Sequence, residues 1–348
     1  MQLSRQETTA LRGLAIALII LHNFTHWLPR CVPENEYTWA LSRIQMYVHY
    51  ITNGGPHLVL NFFSHYGHYG VALFLFLSGY GLVKKYEREA PTQRTLMQEV
   101  VDGVGFLLHH ALKLWTLMLP ALAVLWAMKT YMGGVWKWSA SDVWGLVGFV
   151  ANLGQRHQVI MGPWWWFSLM MQFYVIYRFV FYRRGKAVLL GFTGLCLIVQ
   201  LVATGMSLDA LVGRPNLIYH MHYNFPCSIL PFALGIWAAR YGAEWLLRPW
   251  TAVAALLVVV GGSYTPWLWA VAGPFAVAVM LQGRRLPLHW LGVISAWVFA
   301  LHPIVREYTI GWARAGYLYT ALLAYLAITL IAAWVATWLV NRIHKLNV

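Results

Sequence analysis

Charged residues are scarce in this sequence. Only 10% of the 348 residues are Asp, Glu, Lys or Arg, whereas 60% are hydrophobic. Because a soluble domain has about 25% charged residues, the chain has too little polar surface for a soluble enzyme, a nucleic-acid-binding module or a disordered polypeptide. The composition therefore predicts an all-α polytopic integral-membrane protein, a bundle of helices that cross the bilayer.

Acidic residues are rarer than basic ones. Asp and Glu number 11 against 25 Lys and Arg, which gives a formal net charge of +14. The basic residues lie in small groups between apolar runs rather than in one patch, a distribution typical of loops that face an anionic cytoplasmic leaflet. We therefore expect membrane lipids as partners, and no nucleic acid.

The sequence has only three cysteines, and it has no recognisable signal-peptide cleavage site. The three cysteines, Cys31, Cys196 and Cys227, have no paired spacing. This excludes a disulfide framework and leaves open a single bridge between Cys31 and Cys227. No small-residue cleavage site follows the first apolar run, so we expect an uncleaved first span rather than a signal peptide.

Ten apolar windows are long enough to span a bilayer. Segment 141–154 is shorter, and counting it as a crossing would place Arg183 and Arg184 outside the cell. If it is interfacial or re-entrant, the loops on the side of the amino terminus hold about twice as many Lys and Arg as the opposite loops, as the positive-inside rule requires. The sequence thus predicts ten transmembrane helices with both termini cytoplasmic. Since no internal repeat is visible, it also predicts a single domain over residues 1–348. The windows are 11–29, 62–83, 104–128, 163–182, 187–205, 225–241, 248–263, 266–281, 290–311 and 318–340.

Ionisable side chains inside these windows are candidate functional residues, because each costs a few kcal/mol to insert. His22 lies about 15 Å beyond Arg12 along the first window, and His302 lies about 18 Å into its own window, so the two imidazoles approach a common level. Histidine can accept a hydroxyl proton near neutral pH. The alternatives are an interhelical hydrogen bond for His302, an interfacial anchor for Arg12 and a snorkelling cation for Lys113.

Two histidine pairs and a tryptophan run also stand out. The pairs His65/His68 and His220/His222 have the spacing of metal ligands, yet no nearby carboxylate or cysteine completes a site, so we expect no metal. The run 164–166 is three consecutive tryptophans after Gly-Pro. It predicts an aromatic mouth of the kind that binds sugars or acyl chains.

Four stretches of the sequence form a pattern in a fixed order. Taken together they cover nearly the whole chain and resemble the membrane-bound acyltransferase-3 family. They are Arg12-Gly13-Leu14-Ala15-Ile16 followed by His22; Gly70-Val71-Ala72-Leu73-Phe74 running into Leu77-Ser78-Gly79-Tyr80; Gly162-Pro163-Trp164-Trp165-Trp166-Phe167 with Gln172-Phe173-Tyr174; and Leu291-Gly292 with Ser295 and Leu301-His302-Pro303.

The resemblance implies an integral-membrane O-acyltransferase with ten helices. Such a protein moves an acyl group, usually acetyl, from cytoplasmic acyl-coenzyme A to a hydroxyl of a glycan, a polysaccharide or a small molecule. The acceptor lies at the outer side of the membrane, here the bacterial cytoplasmic membrane. We expect His22 to be the general base or a transient acyl carrier and Arg12 to place the thioester, with His302 as a further catalytic candidate.

Cations at the cytoplasmic end are expected to bind the phosphates of coenzyme A. The Arg-x-x-Arg of the family reads His110-Ala111-Leu112-Lys113 here, so a point charge replaces bidentate arginines. Arg12 and His22 are ten residues apart instead of the eleven of the family, which changes their angular offset from about 20° to about 80°. The predicted donor-binding residues are Lys113, His110, Lys84 and Lys85, and the predicted acceptor-binding residues are Trp165, Gln172, Glu36, Ser78 and Tyr80.

A membrane transporter or flippase for a glycan or a small metabolite is the alternative function. Ten spans, midplane histidines and helices interrupted by Gly and Pro would also suit a proton-coupled carrier. Two features oppose it: the sequence contains no visible internal repeat, and carboxylates inside the windows are nearly absent.

Overall fold

The computed structural model describes residues 3–33, 41–54, 57–88, 95–153, 160–205, 221–242 and 286–346. Within these ranges the chain is all-helical, with 83% helix and no strand, so the predicted all-α class is confirmed. The predicted windows 248–263 and 266–281, and the candidates Glu36 and His220, lie outside the described residues. The helices are α1 Arg5–Thr25, α2 Leu41–Thr52, α3 Leu58–Tyr66, α4 Tyr69–Tyr86, α5 Leu96–Tyr131, α6 Ala140–Val147, α7 Trp165–Ile176, α8 Lys186–Gly205, α9 Phe225–Tyr241, α10 His289–Arg314 and α11 Leu318–Leu346.

Three of the described helices are long and apolar enough to cross a membrane. They are α1, α5 and the segment Leu318–Ile343 of α11. The count of ten transmembrane helices and the cytoplasmic location of both termini stay predictions. Helix α6 has only 8 residues, which is too short to cross and agrees with an interfacial or re-entrant segment 141–154.

Capping boxes fix where two of these three helices begin. At α1, the Ser4 hydroxyl accepts a hydrogen bond from the Glu7 amide at 3.1 Å, and the Glu7 carboxylate accepts one from the Ser4 amide at 2.6 Å. Thr95 and Gln98 make the same reciprocal pair at the start of α5. Each box satisfies two amides that the first turn of a helix leaves without partners.

The chain folds into two compact units, each with its own internal packing. The first unit is Met1–Leu77 with Gly242–Val348, and the second is Ser78–Tyr241. Helices α1 to α3, the start of α4, α10 and α11 belong to the first unit. The rest of α4 and helices α5 to α9 belong to the second. The single domain over residues 1–348 stays a prediction.

Glycines bring α1 and α10 into close contact in the first unit. A Cβ atom added at Gly13 would overlap the carbonyl oxygen of Leu288, and one at Gly292 would overlap the carbonyl oxygen of Thr9. Backbones can approach this closely only where both side chains are absent, as in small-residue crossings of membrane helices. Two glycines of the sequence motifs are therefore packing positions.

The predicted window 62–83 is interrupted in the structure, because α3 ends at Tyr66 and α4 begins at Tyr69. Gly67 and Gly70 lie against α1: a Cβ at Gly67 would come within 2.7 Å of the Leu18 carbonyl oxygen and 2.6 Å of the His22 Cβ. At Gly70 it would overlap the Ala15 carbonyl oxygen. This close approach places the break between α3 and α4 directly beside His22.

Candidate active site

His22 lies in the interior of the first unit. Its side chain is 4% exposed, and its Nδ1 lies 3.0 Å from the carbonyl oxygen of Ser64. A carbonyl oxygen only accepts hydrogen bonds, so the ring donates from Nδ1, and in the neutral tautomer the lone pair is on Nε2. This hydrogen bond fixes the tautomer and the orientation of the ring.

Three further histidines surround His22. The rings of His22 and His26 stack with centroids 4.7 Å apart, and the His68 ring meets His22 edge-on at 5.6 Å. His26 donates from Nδ1 to the His22 carbonyl oxygen at 2.8 Å. His65, in the last turn of α3, stacks on Tyr47 at 4.4 Å. The histidines at the end of α1 and those beside the break between α3 and α4 thus form one cluster of imidazoles.

His65 and His68 of this cluster have a spacing that metal ligands also show. Among the described residues, no three His, Cys, Asp or Glu side chains are placed to hold one metal ion. Both imidazole rings make stacking contacts with tyrosines: His65 stacks on Tyr47, and His68 stacks on Tyr69 with centroids 4.6 Å apart. The expectation of no metal stays a prediction.

His302 is completely buried in α10. Its Nδ1 lies 2.8 Å from the carbonyl oxygen of Phe299 and 3.1 Å from that of Val298. Both bonds are within α10, so they differ from the interhelical hydrogen bond that the sequence left open as an alternative. Its Nε2 has no hydrogen-bond partner among the described residues. A buried acceptor without a partner is uncommon in folded proteins.

Arg306 acts electrostatically on both catalytic histidine candidates. It lies one turn beyond His302, and its guanidinium donates to the backbone carbonyl and the side-chain oxygen of Asn23, both at 3.2 Å. Its charge acts on His22 and on His302. A fixed cation here can stabilise an oxyanion that develops during acyl transfer. Sequence reasoning missed Arg306, although its position four residues after His302 was a usable signal.

Arg12 is not in contact with His22. Helix α1 is unbroken between the two residues, so they are separated by about 15 Å along the axis and about 80° around it. Arg12 is exposed, whereas His22 is buried. The role of Arg12 toward the donor therefore stays a prediction.

A basic cluster lies in the second unit, where the end of α4 meets α5. Lys113 and Lys85 act on each other electrostatically. His109 and His110 are electrostatic neighbours of both lysines. The charges that act on Lys113, His109 and His110 from the described residues are all basic. Three predicted donor-binding residues, Lys113, His110 and Lys85, are therefore brought together, and an anion between them would relieve their repulsion.

Aromatic rings hold His110 in this cluster. The imidazole stacks on Tyr174 with centroids 4.0 Å apart, and its Nε2 lies 3.1 Å from the hydroxyl of Tyr86. Its Nδ1 is buried and has no hydrogen-bond partner within the described ranges. The charge that acts on Lys84 is that of Arg88, and the Lys84 Nζ lies 5.6 Å from the centroid of the Tyr80 ring.

The predicted acceptor-binding residues take part in packing. Trp165 is 6% exposed and meets the Tyr223 ring at 5.8 Å, and Tyr80 is 4% exposed. Ser78 is half-buried in α4. Gln172 uses both ends of its amide: its Nε2 donates to the Asn224 side chain at 2.6 Å, and its Oε1 accepts from the Phe225 amide at 3.0 Å. Acceptor binding by these residues stays a prediction.

An amide network that the sequence did not predict surrounds Gln172. Asn152 is buried and donates to the carbonyl oxygens of Trp165 at 2.9 Å and of Tyr223 at 2.7 Å. Asn224 donates to the Asn152 carbonyl oxygen at 3.0 Å. A polar asparagine inside segment 141–154 was the available signal. The network ties this segment to the starts of α7 and α9.

These features define a class of protein: a membrane protein, all-helical over the described residues, that holds oriented imidazoles in its interior and a cluster of basic side chains between α4 and α5. Residues 7–340 match the family described as an acyltransferase domain, so the chain belongs to the acyltransferase-3 family and is an acyltransferase. The resemblance found in the motifs is thereby confirmed. No curated protein and no solved structure matches the chain.

Proposed function

We propose that this acyltransferase moves an acetyl group from cytoplasmic acetyl-coenzyme A to a hydroxyl of a glycan, a polysaccharide or a small-molecule acceptor at the outer side of the membrane. The membrane is the bacterial cytoplasmic membrane, which the chain crosses ten times with both termini inside. The observation that carries the proposal is the buried imidazole of His22, oriented by the Ser64 carbonyl oxygen.

In the proposed reaction His22 is the general base. Its Nε2 removes the proton of the acceptor hydroxyl while the hydroxyl oxygen attacks the carbonyl carbon of the thioester. The new C–O bond replaces the C–S bond, and the proton passes from His22 to the departing thiolate, so that an ester and free coenzyme A result. Arg306 stabilises the oxyanion of the tetrahedral intermediate. His302, with its open Nε2, is the second base that can exchange the proton.

The donor site is proposed at the basic cluster of Lys85, His110 and Lys113, with Arg12 placing the thioester. Two ammonium groups held side by side repel each other, so an anion bound between them stabilises the arrangement. The phosphates of coenzyme A are such anions. Acceptor contacts are assigned to Trp165, Gln172, Glu36, Ser78 and Tyr80.

Transfer itself is tested with purified protein, acetyl-coenzyme A and glycan extracts. We expect free thiol to be released at a rate that depends on the extract, because the acceptor takes the acetyl group. Succinyl-coenzyme A in place of acetyl-coenzyme A tests the identity of the donor. Absence of acceptor-dependent thiol release with every donor and extract would refute the proposed reaction.

Replacing Lys113 by glutamine should raise the KM for acetyl-coenzyme A and leave the acceptor KM nearly unchanged. Phosphate contacts contribute uniform binding, which appears in KM rather than in kcat. One charge-assisted contact is worth about 1.5–3 kcal/mol, so the increase should be about tenfold to a hundredfold. Lys129→Gln, in the last turn of the same helix, is the matched control. A donor KM equal to that of the wild type would make the His110–Lys113 motif structural.

The proposed topology is tested by reporter fusions at Gly185 and Gly283. In the sequence both positions lie beside clustered arginine or lysine between predicted windows, and the positive-inside rule assigns such stretches to the cytoplasm. We expect both fusions to report a cytoplasmic location. An external signal from either fusion would refute the ten-helix topology.

A further inference from the structure

The second unit contains a cavity whose lining does not include Lys85, His110 or Lys113 of the basic cluster. It has a volume of about 470 Å³ and lies between the end of α4, the turn after α7 and the end of α9. Its charged lining consists of Lys84, Arg88, Arg183, Arg184, Arg240 and Glu87. Five cations thus face one carboxylate.

That carboxylate is already neutralised by Arg240. The Arg240 guanidinium donates from Nη2 to Glu87 Oε1 at 2.6 Å and from Nε to Glu87 Oε2 at 2.7 Å, a bidentate pair. Tyr177 also donates its hydroxyl to Glu87 Oε1 at 3.0 Å. With both carboxylate oxygens engaged, Glu87 has little capacity left to balance the other cations in the cavity.

The turn after α7 is fixed by the same arginine. Arg240 donates to the carbonyl oxygen of Arg184 at 2.8 Å and to that of Phe181 at 2.6 Å. Arg183 has a φ of 56°, in the left-handed region, and its guanidinium lies 5.1 Å from the centroid of the Tyr182 ring. A non-glycine residue kept in that region indicates that its surroundings fix the local backbone.

The other three lining cations, Lys84, Arg88 and Arg184, make no ion pair within the described ranges. The Arg88 guanidinium bonds to a backbone carbonyl oxygen, that of Lys84, at 2.5 Å. The charge that acts on Lys84 is that of Arg88, another cation. Arg184 is exposed and lines the cavity. Planar guanidinium groups bind phosphate oxygens in bidentate fashion, and a volume of about 470 Å³ is within the usual range of ligand pockets.

We propose that this cavity is a phosphate-binding site for a ligand that bears a phosphomonoester or diphosphate group. If the proposed function holds, that ligand is the nucleotide end of the coenzyme A donor. Lys84 lines the cavity, while the adjacent Lys85 belongs to the cluster with Lys113, so the last turn of α4 borders both sites. The headgroup phosphate of an anionic lipid has the same chemistry.

The test measures binding of adenosine 3′,5′-bisphosphate to the purified full-length protein in detergent without acidic lipid. The variant is the double substitution Arg88→Gln with Arg184→Gln, because both side chains are exposed. The matched control is Lys186→Gln, an exposed lysine two residues beyond Arg184 that lies over the Tyr241 ring and does not line the cavity. A parallel measurement compares thermal stabilisation by phosphatidylglycerol and by phosphatidylcholine in nanodiscs.

We expect the Kd for the bisphosphate to rise about tenfold to a hundredfold in the double variant and to stay unchanged in the control. That result assigns the cavity to the nucleotide. Selective loss of phosphatidylglycerol stabilisation in the double variant would assign it to a lipid headgroup. If neither binding changes, the proposal is overturned.

The outcome is separable from that of the proposed function. A double variant that transfers acetyl groups with the donor KM of the wild type would remove the donor nucleotide from this cavity and leave the proposed function intact. A protein that binds the bisphosphate through these arginines but never releases thiol from an acyl donor would keep the site and lose the function.

Discussion

Replacing His22 by alanine is expected to lower acyl transfer by about 10²- to 10⁴-fold, the contribution of a positioned general base. The imidazole is 4% exposed, and the Ser64 carbonyl oxygen orients it through Nδ1. The loss should appear in kcat as well as in kcat/KM, because proton removal occurs only in the transition state.

The His22 experiment needs a control for folding. Alanine leaves the Ser64 carbonyl oxygen without its donor, which costs about 1–3 kcal/mol, so thermal unfolding in detergent must be measured on the same preparation. His49→Ala is the matched control: His49 is an exposed imidazole in the same unit that contacts Asn53. Full turnover by well-folded His22→Ala would exclude His22 from the reaction and assign the base to His302 or His26.

The same preparations distinguish a general base from an acyl carrier. If His22 carries the acyl group, rapid quenching with labelled acetyl-coenzyme A alone should trap one acetyl group per protein on the peptide that contains it. If His22 is a general base, that peptide stays unlabelled throughout, and the label appears only on the acceptor once the acceptor is added.

The helices and the family could be predicted from the sequence because long apolar runs in a membrane chain have few alternatives to the helix. His22 and His302 could be predicted as candidates because an ionisable side chain inside an apolar run is costly to insert into a membrane. The sequence did not predict that window 62–83 breaks beside Gly67. That break depends on how closely the chain approaches Leu18 and Ala15 of α1, a contact between segments about fifty residues apart.

The residues missed in the sequence lie at helix ends and in short segments. Arg306 and Glu87 resemble interfacial anchors in a hydropathy profile, where cations and acids near a helix terminus are common. Their partners, Asn23 and Arg240, are far away in the chain. Hydrophobic periodicity carries no information about such pairs, so the cation beside the histidines and the cavity at the end of α4 become visible only in the folded chain.

The pair of Glu87 and Arg240 provides the second large expected effect. The two side chains are only 10% and 9% exposed, and their bidentate contact joins the end of α4 to the end of α9. Arg240 also holds the turn after α7 through the carbonyl oxygens of Phe181 and Arg184. Breaking a buried pair by removing one partner leaves an uncompensated charge.

Glu87→Leu should therefore destabilise the protein by about 3–5 kcal/mol, measured as a lower thermal or denaturant midpoint in detergent. The cause is the guanidinium of Arg240, which would remain buried without a counter-charge. The double variant Glu87→Leu with Arg240→Leu removes both charges and should recover much of the loss, since an apolar pair of similar volume can replace a buried ion pair. If the single and double variants unfold at the same midpoint as the wild type, the pair contributes nothing to the stability of the second unit. In that case the turn after α7, rather than the contact between Glu87 and Arg240, holds the other arginines of the cavity in place.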